Sequence, residues 1–238
     1  MPNITRGHSR TPIIDAAIDR AVTMPSSTIR SHVDSLRRRN PEANPARIIE
    51  LLSKEYTMVL QGAGGAVGAA AAVPGVGTGV SLALSSGDVA TFFASSSAYA
   101  LAVAEVHGIQ VEDIERRRAL LLATVLGESG AQTVADASGK PAAAWGTALL
   151  TTMPQSTIKQ VNSVLARRFI KRQVVKQGSL MMGRIIPFGI GAAIGIAGGR
   201  TLARTVVNQA VDAFGPPPES FARPVVIDGS KRRAAIER

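Results

Sequence analysis

The stretch TMVLQGAGGAVGAAAAVPGVGTGVSLALSSG, residues 57–87, decides how this chain folds. It holds thirty-one residues without a charge, eight of them glycine, and Pro74 sits near its centre. Proline has no N–H for the helical ladder and clashes with the preceding turn, so the stretch reads as two helices split at Pro74. The small side chains let those helices approach until their backbones touch. Gly64 with Gly68 and Gly75 with Gly79 show the four-residue spacing that puts small residues on one helix face. A second stretch, RIIPFGIGAAIGIAGGR (residues 184–200), repeats the device with Gly191, Gly195 and Gly199. These seven glycines are the expected helix-packing positions. A hairpin of this kind either enters a bilayer or packs inside the protein. Leu, Ile, Phe and Val drive insertion, whereas Gly, Ala, Ser and Thr contribute little. The second stretch also falls short of the roughly 20 apolar residues that a span needs. A peripheral protein is therefore expected over a spanning one.

Working outward, the rest of the chain has helical periodicity. Ile14, Ala17, Ile18 and Ala21 recur at helical spacing, as do Ile29, Val33 and Leu36. Asn44 and Pro45 read as cap and first residue of the helix that leads into the glycine-rich stretch. A helix is expected to run from Asp88 to a stop at Gly108, and the next has its acids in its first turn and ends at Gly127 or Gly130. A short apolar helix around Trp145, a strongly basic helix over 154–176 and the second glycine-rich helix to about Phe214 complete the list. Strand patterning is nearly absent, with RPVVIDG near the C-terminus the one exception. The fold class is all-α, a helical bundle. Residues 1–22 form an N-terminal arm and short helix, 23–214 the helical domain, and 215–238 a Pro-rich basic tail without regular structure.

The stretch TMPSSTIRSHVDSLRRR from Thr23 recurs as TMPQSTIKQVNSVLARR from Thr152, with nine of seventeen positions identical. A glycine-rich helix follows each copy. The pattern points to a duplicated unit, 23–87 and 152–214, packed about a pseudo-two-fold axis.

Composition narrows the chemistry. Aromatic residues are 4% of the chain and cysteine is absent, which excludes disulfides, thiolate metal sites and cysteine catalysis. The formal net charge is +10, carried in clusters at Arg37, Arg38 and Arg39, at Arg116 to Arg118, at Arg167, Arg168, Lys171, Arg172 and Lys176, and at Lys231 to Arg233. Such clusters suit an anionic membrane surface or nucleic acid, unless they are merely solvated helix faces. Arg37 to Arg39 and the Arg167 to Lys176 face are the candidate anionic contacts. The first 22 residues lack the apolar core of a signal peptide. Arginine-rich, alanine-rich usage fits a GC-rich bacterial genome.

Asp88 is the single charge between Glu55 and Glu105. It reads either as a helix N-cap after Ser85, Ser86 and Gly87 or as a buried polar site. Gly62, Gly64 and Gly68 imitate a dinucleotide loop, but the required flanking strands are missing. His8, His32 and His107 form no zinc motif, and no phosphate loop or nucleophile elbow is present, so no metal, cofactor or catalytic residue is expected.

The run GAVGAAAAVPGVGTGVSLALSSGDVATFFASSSAYALAVAEVHG, then ERRRALLLATVLG, then GRIIPFGIGAAIGIAGGRTLARTVVNQAVDAFG resembles the EcsC family over roughly residues 45–215. Pro74, Gly75, Asp88, Gly108, Pro187, Gly191 and Gly195 carry the resemblance. Two positions depart from it: His107 precedes Gly108 where the family often has tyrosine, and Gly198 and Gly199 stand where it often has asparagine. The resemblance implies a membrane context, linked to an exporter, and no catalytic residues. The resulting expectation is a non-enzymatic, membrane-associated accessory protein on the cytoplasmic face, with a membrane-protein partner in view. A small-molecule binder or enzyme centred on Asp88 and a nucleic-acid binder are the alternatives.

Overall fold

The computed structural model describes residues 12–71, 78–139, 144–180, 190–221 and 225–227, with side chains described for 14–63, 89–139, 144–172 and 198–221. The all-α expectation holds. The described residues form α1 (Pro12–Val22), α2 (Ser26–Arg39), α3 (Pro45–Ala71), α4 (Thr78–Val106), α5 (Ile114–Leu126), α6 (Glu128–Ser138), α7 (Trp145–Thr151), α8 (Gln155–Leu180) and α9 (Ile190–Phe214). Two three-residue strands, β1 (Ile109–Val111) and β2 (Val225–Ile227), pair in parallel.

Local chemistry sets the boundaries. The Asn44 side chain accepts the Arg47 N–H at 2.9 Å, capping α3 ahead of Pro45 as its residue types foretold. Asp113 does the same for α5, accepting from the Arg116 N–H at 3.0 Å. Gly108 (φ +75°) and Gly127 (φ +71°) end α4 and α5 in backbone conformations that side-chain-bearing residues rarely adopt. Gly130 is not a stop: it lies inside α6, where a Cβ would run into the Ala123 backbone.

The glycine-rich stretch does divide into the end of α3 and the start of α4. Pro74 and Gly75 lie outside the described residues, as does Pro187. Gly64 and Gly68 lie on α3, Gly79 on α4, and Gly191 and Gly195 on α9. One expectation is corrected here. Asp88 is no N-cap, because α4 already begins at Thr78 and runs through Ser85, Ser86 and Gly87 without a break. Poor helix formers cost only about 1 kcal/mol each and yield to packing.

Helix directions follow from the contacts. Tyr56 and Ser96 meet at 2.7 Å and Ser53 and Tyr99 at 2.8 Å, which makes α3 and α4 antiparallel. Gly199 faces Leu60, and Phe214 at the far end of α9 meets His107 at the end of α4, ring centroids 5.3 Å apart. Hence α9 is antiparallel to α3 as well. Asn162 bonds to Glu115 at the start of α5 and Arg172 to Leu126 at its end, so α8 runs parallel to α5. The C-terminal ends of α3 and α8 and the N-terminal ends of α4 and α9 therefore gather at one end of the bundle. Both glycine-rich stretches belong to this pole.

The core lies below it. Phe93, Tyr99, Val103, Leu120, Leu121, Leu149, Trp145 and Ile158 are almost wholly buried. Each large apolar side chain so buried contributes about 1.5–3 kcal/mol. Val89–Val106 of α4 is long and apolar enough to cross a membrane, yet most of that segment is buried inside the protein. It is the central core helix, packed by α1, α2, α3, α5 and α9.

The tail departs from its expected irregularity at two points. Phe221 lies under the Arg37 guanidinium, 3.9 Å from carbon to ring centroid. Val225–Ile227 pairs with Ile109–Val111, since a β-branched apolar run fits beside an already buried strand.

Candidate functional site

The expected basic clusters divide into structural and free cations. Arg116 and Arg117 open α5 and are buried. Arg116 donates to the Leu149 carbonyl at 2.5 Å and the Met153 carbonyl at 2.8 Å. Arg117 donates to the Val111 carbonyl at 2.6 Å, the Val22 carbonyl at 3.1 Å, the Met24 carbonyl and the Ser26 hydroxyl. Met24 and Met153 are the matched positions of the two Thr-Met-Pro copies. Each copy turns a corner between two helices, and neighbouring arginines hold the carbonyls left over at the two corners. Burial lowers the Arg117 pKa, and Glu112 at 3.7 Å opposes the shift. Arg118 pairs with Asp19. Arg116 and Arg117, buried and committed to these carbonyls, are not available to a ligand.

Arg37 to Arg39 are also partly engaged. Arg37 sits over Phe221 and 3.5 Å from Asp34, and Arg39 donates to the Ser35 carbonyl at 3.3 Å. Arg38 lines an open groove of about 630 Å³ at the α2–α3 turn, which it shares with Asp34, Glu42, Glu219 and Phe221. Three acids, Asp34, Glu42 and Glu219, stand there against two arginines, so the groove has no net preference for an anion.

On α8 the cations alternate in role. Arg168 donates to the Ser129 carbonyl and the Thr133 hydroxyl, and Arg172 to the Leu126 carbonyl, all on the α5–α6 corner. Arg167 and Lys171, one helical turn apart, are exposed and make no ion pair among the described residues. The side chain of Lys176 lies outside the described residues. Arg37 to Arg39 and Arg167 do not form one surface. At 1.5 Å per helical residue, the start of α3 lies about 20 Å along the axis from the level of Val59, where Phe169 meets Phe93.

Two cations escaped the sequence reading. Arg200 and Arg204 are exposed on α9, one turn apart, again without an ion pair among the described residues. A signal for them was present in the chain. No Asp or Glu occurs between Asp136 and Asp212, while ten Lys and Arg do. Exposed apolar side chains accompany these cations. Met58 is 62% and Val59 46% exposed on α3, and Leu202 is 49% exposed on α9. All three lie within about one turn of the Leu60–Gly199 contact. A Cβ on Gly199 would come 2.5 Å from the Leu60 carbonyl oxygen, so this expected packing glycine brings α3 and α9 into backbone contact. The base of the pole thus combines close-packed helices, exposed apolar side chains and cations without an ion pair among the described residues.

The buried hydroxyls between α3 and α4 offer no nucleophile. Tyr56 and Tyr99 stack with centroids 4.9 Å apart, and their hydroxyls bond to Ser96 and Ser53. Burial raises both pKa values, that of Tyr99 to about 12, so both phenols stay neutral. His107 ends α4 as its place before Gly108 foretold, with Nδ1 2.9 Å from the Val103 carbonyl. The described residues hold no cluster of His, Asp and Glu able to bind a metal. Asp88 lies on α4 opposite residue 64 of α3, by the register of the tyrosine–serine pairs, and its side chain is outside the described residues. Comparison with family models, with curated proteins and with solved structures finds no match to this chain.

Proposed function

We propose that this is a non-enzymatic accessory protein that associates peripherally with an anionic membrane surface, on the cytoplasmic face. The observation that carries the reading is the pole. Two uncharged glycine-rich stretches end there together, and Arg167, Lys171, Arg200 and Arg204 stand below it without an ion pair among the described residues. All four belong to the part of the chain, 137–211, that has no acid. Cations of this kind contribute about 1 kcal/mol each near an anionic surface. The resemblance to EcsC proteins supports the same setting and a membrane-protein partner linked to export.

The test is sedimentation with vesicles of phosphatidylglycerol and phosphatidylcholine against phosphatidylcholine alone. Four substitutions, R167Q, K171Q, R200Q and R204Q, remove about 4 kcal/mol of attraction, close to a thousandfold in partitioning. Unchanged binding by the quadruple variant would overturn the reading. The same cations support a second reading, nucleic-acid binding, which predicts tighter retention by DNA than by anionic vesicles and a steep loss with salt. The 4% aromatic content weighs against base stacking as its mechanism.

A further inference from the structure

We infer that the groove at the α2–α3 turn is a docking site for an extended peptide of a partner protein, and that the chain's own segment Glu219–Phe221 holds part of it in cis. The inference stands apart from the membrane reading. The groove lies at the start of α3, about 20 Å along the axis from the level of Phe169 and its neighbouring cations.

The seat begins at Arg37, in the last turn of α2. Its guanidinium carbon lies 3.9 Å from the centroid of the Phe221 ring, a cation held over an aromatic face. Phe221 is half-buried and also packs against the hydrophobic core. The only ion pair of Arg37 is an exposed one, 3.5 Å from Asp34, which competes weakly for the cation. The tail fills one edge of the groove and no more. About 630 Å³ stays open beside it, a volume that suits a ligand. Arg38 stands on the wall of this open part, exposed and without an ion pair among the described residues.

The segment seated in cis shows which chemistry fits. Residues 216–221 read Pro-Pro-Pro-Glu-Ser-Phe. Three prolines hold the backbone near the extended polyproline form, so little freedom is lost on docking. Glu219 and Phe221, two residues apart, both line the groove. Without Glu219, which belongs to the tail, the walls carry Asp34 and Glu42 against Arg37 and Arg38. That balance disfavours a strongly charged ligand and suits a segment with one ring and a single acid. The partner segment is therefore proline-rich and extended, with an aromatic residue close to one carboxylate. The tail has a second hold, where Val225–Ile227 pair with β1. This hold keeps Phe221 at hand, so a partner competes with a tethered ring at an effective concentration on the order of millimolar.

The test uses the full chain. F221A removes the competing ring and leaves the β1–β2 pairing in place. The probe is a fluorescein-labelled peptide of sequence PPPESFA, the chain's own residues 216–222, followed by fluorescence anisotropy. Loss of the cation–π competitor should make F221A bind the peptide about fivefold to thirtyfold more tightly than the wild-type chain does. Adding R37Q to F221A should abolish that gain. Equal binding by the wild-type chain and F221A, no binding to F221A at millimolar peptide, or a gain that survives R37Q would each overturn the assignment. A complex of two chains in a mixture of F221A and wild type, formed by neither alone, would overturn the partner and give the seat to a second copy.

Discussion

Gly198 and Gly199 are neighbours on α9, yet the structure assigns them opposite responses to alanine. A Cβ on Gly199 would lie 2.5 Å from the Leu60 carbonyl oxygen and 3.0 Å from its carbon. Both are backbone atoms, so α3 and α9 must move apart. Overpacking of this kind costs about 1–3 kcal/mol. A Cβ on Gly198 meets nothing within 4 Å. There the substitution only removes conformational freedom from the unfolded chain, which stabilises a helix by about 0.5–1 kcal/mol. The two variants should thus differ by about 2–4 kcal/mol although their chemistry is identical. Urea unfolding followed by circular dichroism measures the difference as a shift of midpoint at constant slope. G198A should move the midpoint up and G199A down. A shift of the same sign in both would refute the close approach of α3 and α9, and with it the level assigned to the pole.

Arg117 is 4% exposed and serves three carbonyls and a hydroxyl, so R117M should cost about 3–5 kcal/mol, whereas R118M, which removes a partly exposed pair with Asp19, should cost under about 1 kcal/mol. Equal losses in thermal unfolding would contradict the role given to Arg117. Both tyrosines should resist ionisation in an ultraviolet titration of the folded protein, with Tyr99 near pH 12. The sign is fixed by the raised folded value: this contribution to stability is complete below about pH 10, where free phenols begin to ionise, and is lost as pH rises through the folded pKa. A tyrosine that titrates at pH 10 with its native circular dichroism intact would show that the hydroxyl clamp is open to water.

Several features of the fold were legible because they are local. Asn44 before Pro45, Asp113 before the arginines of α5, and Gly108 and Gly127 as stops each act within one turn, and each appears where its residue type indicates. The small-residue spacing marked Gly199 as a packing position, but its partner Leu60 lies far away in the chain and was not legible. Asp88 misled because Ser-Ser-Gly-Asp is a good helix start in isolation, while the packing around α4 carries the helix straight through it. Arg116 and Arg117 look like any solvated pair of arginines, since the carbonyls they bind come from residues 22–24 and 149–153. The pairing of Val225–Ile227 with Ile109–Val111 was likewise out of reach, because neither strand has an identifiable partner in sequence. Arg200 and Arg204 were legible in principle: isolated cations look ordinary until the missing acids from 137 to 211 are noticed.

The twin arginines at the start of α5 also impose an order on assembly. Arg117 reaches back 93 residues to Met24, and Arg116 reaches forward 37 residues to Met153. Loop closure grows only logarithmically with length, so the longer reach costs about 0.8 kcal/mol more than the shorter one. The two corners are therefore nearly equal in difficulty once α5 exists, and neither can finish before it does. During synthesis the first corner waits, with its carbonyls unclaimed, until residue 117 emerges. The second must wait for its own Met153, although its arginine is already made. A helix of thirteen residues thus acts as the keystone of the chain, and the two Thr-Met-Pro units close around it as one folding unit instead of maturing as separate halves.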